Sequence, residues 1–162
     1  MMRPSRKVII STFTVILLIL LSSFVHPFGP VKHQNPARPL LSTSSINPEA
    51  KAVILRACRN CHSEKTEWPW YSFVAPVSWL LESDVSRARG HMNFSHWEEY
   101  TTDQRFALLN QILAVVSARA MPPARYRLLH PEASLSDTDA DRIIRWARAE
   151  MPPRRRRKPA ER

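Results

Sequence analysis

Hydrophobic residues form one continuous run near the N-terminus and recur with helical spacing later in the chain. Residues 8–25 make up the run, and no side chain in it is charged. Residues 26–47 show neither helical nor strand spacing, whereas residues 48–150 contain several segments whose apolar positions repeat every three or four residues. This pattern predicts an apolar helix, a linker and one all-helical domain.

The apolar run follows a short basic N-terminus, residues 1–7. As a helix it is ~27 Å long at ~1.5 Å per residue, close to the ~30 Å thickness of a hydrocarbon core. The preceding basic residues predict a cytoplasmic N-terminus and export of the rest. A cleaved signal peptide is the alternative, but no small-X-small site precedes Pro27. We therefore expect an uncleaved transmembrane anchor at 8–25 in the cytoplasmic (inner) membrane.

The linker and the domain differ in their local signals. Four prolines in residues 26–47 favour an extended spacer. The domain then has three helix starts, which are Asn47 before Pro48, Thr101 with Gln104, and Ser136 with Asp139. A further helix is predicted over residues 78–89, ended by Gly90.

The predicted helices carry apolar positions on one face, and the last helix is expected to pack across the first. These positions are Val53, Ile54 and Ala57; Phe106, Leu109, Leu113 and Val116; and Ile143, Ile144, Trp146 and Ala147. Two glycines against fourteen prolines also favour helices over hairpins, which rely on glycine turns. The expected fold class is all-α.

The chemistry of the chain centres on Cys58, Arg59, Asn60, Cys61 and His62, a CXXCH motif. Two thiols at this spacing can each add to one vinyl group of a porphyrin, and the adjacent imidazole then lies beneath the iron as an axial ligand. The motif therefore predicts one covalently attached haem c.

Two other readings of the cysteine pair are weaker. A zinc site normally needs four ligands, and the chain has no third cysteine; His91 and His96 have HX4H spacing but lie about thirty residues on. A thioredoxin-like dithiol needs a βαβ context, which the strand-poor sequence around the motif does not provide.

Met121 is the leading candidate for the second axial ligand. It precedes Pro122 and Pro123, which force an extended backbone from which a thioether can be aimed at an iron. The rivals are His91, His96 and His130, with Met92 among them and Met151 repeating the Met-Pro-Pro pattern. Aromatic residues after the motif, Trp68, Trp70, Tyr71 and Trp79, suit either a wall over the porphyrin or an ordinary core.

The net charge of +10 lies outside the domain. Residues 48–150 carry thirteen basic and thirteen acidic side chains, so no basic face for nucleic acid is indicated. The excess comes from residues before position 48 and from the basic tail, residues 151–162. The tail is expected to be disordered and to attract anionic lipid headgroups or an acidic partner.

Three separated segments resemble the haem-binding domain family of small c-type cytochromes found in bacterial exported proteins. They are the CXXCH motif with the residues that follow it, SEKTEWPWYSFVAPVSW, the string NFSHW, and MPPARYRLLHPEASLSD. The resemblance covers about residues 45–150. It implies a cytochrome c-like helical fold, haem on Cys58 and Cys61, His62 as proximal ligand and Met121 as distal ligand.

Histidine–methionine ligation fills both axial positions and leaves no open site for substrate. We therefore expect a membrane-anchored electron carrier rather than an enzyme, with its haem domain on the periplasmic side and redox proteins as unidentified partners. A haem-based redox or gas sensor with a displaceable methionine is the alternative. A di-haem peroxidase needs two CXXCH motifs, and this sequence contains a single one, at residues 58–62.

Overall fold

The computed structural model describes residues 5–28 and 37–151. Within these ranges the protein is helical, with no β-strand, which confirms the all-α prediction. The α-helices are α1 (Arg6–Ser22), α2 (Pro48–Ala57), α3 (Arg59–His62), α4 (Val77–His91), α5 (Thr102–Ser117), α6 (Ala124–Leu129) and α7 (Asp137–Glu150), with 3-10 turns at Trp70–Phe73, Phe94–Glu99 and Pro131–Ala133. The predicted basic tail beyond Met151 and part of the predicted linker lie outside the described residues.

The chain divides into two compact units. Unit 1 comprises Met1–Arg38 and Asn60–Asn93, and unit 2 comprises Pro39–Arg59 and Phe94–Arg162. The boundary in the sequence runs through the CXXCH motif, between its second and third residues. The boundary divides α3, whereas each of the other α-helices belongs to a single unit.

Helix α1 of unit 1 contains most of the apolar run but ends earlier than predicted. Its side chains are apolar and exposed from Val8 to Leu18 apart from two threonines and a serine. The helix ends at Ser22, where the hydroxyls of Ser22 and Ser23 donate to the carbonyl of Ile19 at 2.9 and 2.8 Å. Among the described residues, no helix combines the length and apolar character that a membrane crossing requires.

The residues after α1 contact the first half of α4 and the turn before it. Ser23 Oγ accepts a hydrogen bond from the Ala75 N–H at 3.0 Å, and the Val25 carbonyl accepts one from Trp79 Nε1 at 2.8 Å. His26 Nδ1 lies 2.8 Å from the buried Glu82 carboxylate. The start of the predicted linker is therefore fastened to unit 1.

Helices α2, α5 and α7 form the core of unit 2, and α7 packs on both of the others. The contact between α7 and α2 confirms the prediction that the last helix of the domain packs on the domain's first helix. Asn47 caps α2 through the Ala50 N–H at 2.8 Å, and α5 and α7 begin with the predicted capping boxes. The core side chains are Val53, Ile54, Leu108, Leu109, Ile112, Val116, Ile143 and Trp146.

The end of the predicted linker is also part of unit 2. Leu40 and Leu41 are buried, and the Leu41 N–H donates to the Phe94 carbonyl at 3.0 Å. Ser44 Oγ accepts a hydrogen bond from Trp146 Nε1 at 3.0 Å, and Ser45 bonds the Glu150 carboxylate. Two adjacent leucines have no helical or strand period, so the pattern did not indicate that this segment is buried.

Three further details differ from the sequence-based expectations. Gly90 lies inside the last turn of α4, which ends at His91, and the backbone becomes extended at Met92. The buried face of α5 includes Leu108 and Ile112, whereas Phe106 and Leu113 are only half-buried. Helix α6 was not predicted, because its six residues are too short for a clear hydrophobic period.

Candidate functional site

The CXXCH motif begins where α2 ends. Cys58 follows the last residue of α2, and its N–H donates to the Ile54 carbonyl at 2.9 Å, which closes that helix. The next four residues form the single turn α3, which carries Cys61 and His62. Both cysteines are thiols outside any disulfide, and both are half-buried. The motif therefore presents its two thiols on successive helical turns.

The imidazole of His62 is held by the end of α4. Its Nδ1 lies 3.1 Å from the Met92 carbonyl oxygen, which can only accept, so Nδ1 carries the proton. The lone pair is then on Nε2. Metal-bound histidines in proteins typically donate their other ring nitrogen in this way, which fixes the tautomer and the orientation of the ring.

Burial lowers the pKa of His62 from its ordinary value. The backbone carbonyls of Met92 and Ala88 oppose this effect, whereas the positive charge of His91, when protonated, adds to it. The balance favours the neutral ring, which is the form that binds a metal.

The chain that follows His62 is held by a second side chain of α4. Arg89 Nε donates to the Ser63 carbonyl at 2.9 Å, and Arg89 Nη2 donates to Thr66 Oγ1 at 2.9 Å. Thr66 Oγ1 in turn donates to the carbonyl of Asn60, inside the motif, at 2.6 Å. Neither Arg89 nor the Met92 carbonyl was identified from the sequence, because their contacts span 23 to 30 residues and leave no local pattern.

Met121 belongs to unit 2, in the turn between α5 and α6, and is 41% exposed. The turn is anchored to the start of α7, because Arg119 Nη1 donates to the carbonyls of Leu135 and Ser136 at 3.2 and 3.1 Å. Arg119 has a φ of 56°, which reverses the chain after α5. The thioether is thus carried on a fastened turn, and its role as distal ligand stays a prediction.

The rival histidines have other surroundings. His91 is exposed at the end of α4. His96 Nδ1 lies 2.8 Å from Glu99, and His130 Nδ1 lies 3.0 Å from Glu132 while its ring stacks on Tyr126 at 4.4 Å. Local carboxylates satisfy one nitrogen of each of these two rings.

Two features bear on the other readings of the site. Trp79 donates its indole N–H to the Val25 carbonyl, so this group is engaged within the protein rather than facing a propionate. In the part of the chain that is described, no three side chains of His, Cys, Asp or Glu come together as a metal site.

The donor set fits a c-type haem. Two thiols at the attachment spacing are followed directly by a half-buried imidazole whose Nε2 carries the lone pair. Cys58 and Cys61 would hold the porphyrin edge, and His62 would bind the iron. These are the functional residues that the motif predicts, and their roles stay a prediction.

Comparison with known proteins gives one distant relative and one family. Over 94 residues the chain is 27% identical to the cytochrome c peroxidase Ccp of Escherichia coli (strain K12), a match that covers 56% of this chain. The chain spans only a fifth of that relative's length. No solved structure matches. Residues 17–149 match the haem-binding domain family, so the chain belongs to that family.

Proposed function

We propose that this protein is an exported, membrane-attached cytochrome that carries electrons with a single c-type haem. Cys58 and Cys61 attach the haem, His62 is the proximal ligand and Met121 is the distal ligand. The observation that supports this most strongly is the hydrogen bond from His62 Nδ1 to the Met92 carbonyl, because it orients a neutral imidazole for iron within a CXXCH motif.

The bound haem supplies a reversible one-electron couple. The protein's residues do the rest. The two thioethers fix the porphyrin to the chain, the Met92 carbonyl keeps the His62 ring in one orientation, and the fastened turn at Arg119 carries the Met121 sulfur. His62 and Met121 would hold the iron between them, so a substrate would find no free position on it, and the chemistry that the haem would supply is electron transfer.

The N-terminal segment supports the proposed location. Helix α1 exposes its apolar side chains, and basic residues precede the apolar run that it contains. Such a segment attaches a protein to a membrane, and the charge asymmetry directs the haem domain to the periplasmic side. Its partners there are other redox proteins, which exchange electrons at an exposed haem edge.

The relative's name favours a second candidate, which is peroxide reduction. A peroxidase needs an open or easily vacated iron position, and Met121 is partly exposed rather than buried in a core. A gas or redox sensor would likewise need an iron position that Met121 can vacate. Carbon monoxide binding by the reduced protein and turnover of hydrogen peroxide distinguish both from an electron carrier.

The test is a visible spectrum of the full chain, exported from a host that matures c-type cytochromes, beside Met121→Ala. We expect a covalent low-spin haem in the parent. The sulfur-to-iron charge-transfer band of the oxidised protein should disappear in Met121→Ala, and the reduction potential should fall when sulfur ligation is lost.

Met92→Ala is the matched control, because it removes a second thioether and leaves the backbone carbonyl that holds His62. Its spectrum should equal that of the parent. A charge-transfer band that survives in Met121→Ala would assign the distal position to another methionine, with Met92 and Met151 as the next variants. A low-spin parent that lacks the band would assign that position to His91, His96 or His130. A high-spin haem in the parent would mean an open iron position, and would favour peroxide reduction or sensing over electron transfer.

A further inference from the structure

Arg89 of unit 1 makes two side-chain hydrogen bonds close to the CXXCH motif. It lies on the last turn of α4, one turn before the residue whose carbonyl holds His62. Its guanidinium uses two different nitrogens to bond the Ser63 carbonyl and the Thr66 hydroxyl, both at 2.9 Å. Both acceptor residues are buried. Bidentate contacts of this kind fix a guanidinium in position and cannot be reproduced by lysine.

The contact reaches into the CXXCH motif from both sides of His62. Ser63 directly follows His62, and Thr66 bonds the carbonyl of Asn60, which precedes Cys61. The Asn60 side chain also accepts a hydrogen bond from the Glu67 N–H at 3.1 Å. One guanidinium thus ties together the chain before and after the proximal ligand.

The charge of Arg89 interacts with the charge of Glu64. Burial lowers the pKa of Arg89, and the electrostatic interaction with Glu64 and Cys61 opposes that effect. An arginine nevertheless stays protonated in proteins. Glu64 also lies 4.0 Å from Arg38, so its carboxylate acts on two guanidinium groups. Arg89 therefore places a positive charge beside the motif, and Glu64 places a negative one there.

We propose that Arg89 is a positioning residue of the haem site, which holds the chain around His62 and raises the reduction potential of the bound haem with its fixed positive charge. This proposal rests on the proposed function, because it requires a haem on Cys58, Cys61 and His62. Its chemistry is electrostatic. Oxidation adds a positive charge at the iron, and a nearby cation in a partly buried environment makes the oxidised state less favourable.

The test is the reduction potential of the haem-loaded full chain and of four variants at one pH and salt concentration. Arg89→Gln removes the charge and should lower the potential. Glu64→Gln removes the opposing charge and should raise it. Arg89→Lys retains the charge but loses the two-point contact, so it should keep most of the potential while less haem becomes attached.

Arg87→Gln is the matched control. Arg87 lies on the same helix, and its replacement by glutamine changes the net charge by the same amount. Arg87 contacts Ser83 and Asp84 instead, and its side chain is largely exposed. Its potential should change much less than that of Arg89→Gln. A purely structural role for Arg89 would alter unfolding and haem attachment without producing opposite potential shifts in the Arg89 and Glu64 variants.

The outcomes separate the two proposals. If the parent carries no covalent haem, the proposed function fails. If the parent carries haem but Arg89→Gln and Arg87→Gln have the same potential, the inference about Arg89 is overturned and the function stands. If Arg89→Gln retains no haem, Glu64→Gln decides the electrostatic part: a raised potential supports it and an unchanged potential overturns it.

Discussion

Trp97 shows how strongly one residue can determine the packing of unit 2. Its side chain is fully buried, and its ring centroid lies 6.1 Å from that of Phe94, 6.1 Å from that of Tyr100 and 6.0 Å from that of Trp146. The indole nitrogen has no hydrogen-bond partner within the described part of the chain. Trp97 therefore contributes by volume and ring contacts, and not by a polar bond.

Truncation of Trp97 should consequently be costly, whereas replacement by another ring should not. We expect Trp97→Ala to reduce the free energy of unfolding by ~3–5 kcal/mol, and Trp97→Phe by less than half of that, because phenylalanine leaves no buried donor without a partner. Chemical denaturation of the haem-loaded protein measures both. Trp70→Ala is the control, since Trp70 is 79% exposed and its loss should cost less than ~1 kcal/mol. Equal losses in Trp97→Ala and Trp70→Ala would contradict this account.

At the scale of helices, the start of α7 joins several parts of unit 2. Ser136 and Asp139 form the capping box, and Asp139 also accepts a hydrogen bond from Arg56 of α2 at 2.8 Å. Burial raises the pKa of Asp139, but the bonds from Ser136 and the pairing with Arg56 outweigh it, so the net shift is downward. One carboxylate thus caps α7 and links it to α2.

The pairing of Asp139 with Arg56 predicts that the free energy of unfolding depends on pH. A carboxyl with a lowered pKa in the folded state stabilises the protein above its unfolded pKa of about 3.9, and this contribution is lost as the pH falls through the folded pKa. Asp139→Asn should therefore be less stable than the parent at neutral pH and lose less stability on acidification. Asp141→Asn, an exposed change on the same helix, should follow the parent. Parallel curves of unfolding free energy against pH for Asp139→Asn and the parent would disprove the assignment.

The helices of the domain were predictable where local signals exist, and the site was predictable only in part. The caps at Asn47, Thr101 and Ser136 follow from side chains that bond N–H groups three residues away, and sequence shows such pairs directly. The CXXCH motif is equally local. Arg89 and the Met92 carbonyl contact residues 23 to 30 positions earlier, and Leu41 bonds Phe94, which is far from it in sequence. Such contacts depend on tertiary packing, which no spacing rule encodes.

At the scale of the whole molecule, the net positive charge lies outside residues 48–150. Residues 48–150 are neutral by count, whereas residues 154–162, which lie outside the described residues, contain six basic side chains and one acidic one. Half of the net charge of +10 is therefore concentrated in nine residues at the C-terminus. A short, strongly basic segment binds anionic lipid surfaces with ~1 kcal/mol for each basic residue near the surface.

This distribution predicts that the tail strengthens binding to anionic membranes without affecting the haem. Deletion of residues 154–162 should weaken binding to phosphatidylserine-containing vesicles at least tenfold at low salt, and leave binding to phosphatidylcholine vesicles, the haem spectrum and the reduction potential unchanged. The difference should shrink as salt rises, because the screening length falls to ~8 Å at physiological ionic strength. Replacement of the five basic residues at 154–158 by glutamine keeps the chain length and should reproduce the deletion. If the glutamine variant instead binds vesicles like the parent while its electron exchange with an acidic redox protein slows, the tail serves a protein partner and the lipid prediction is wrong.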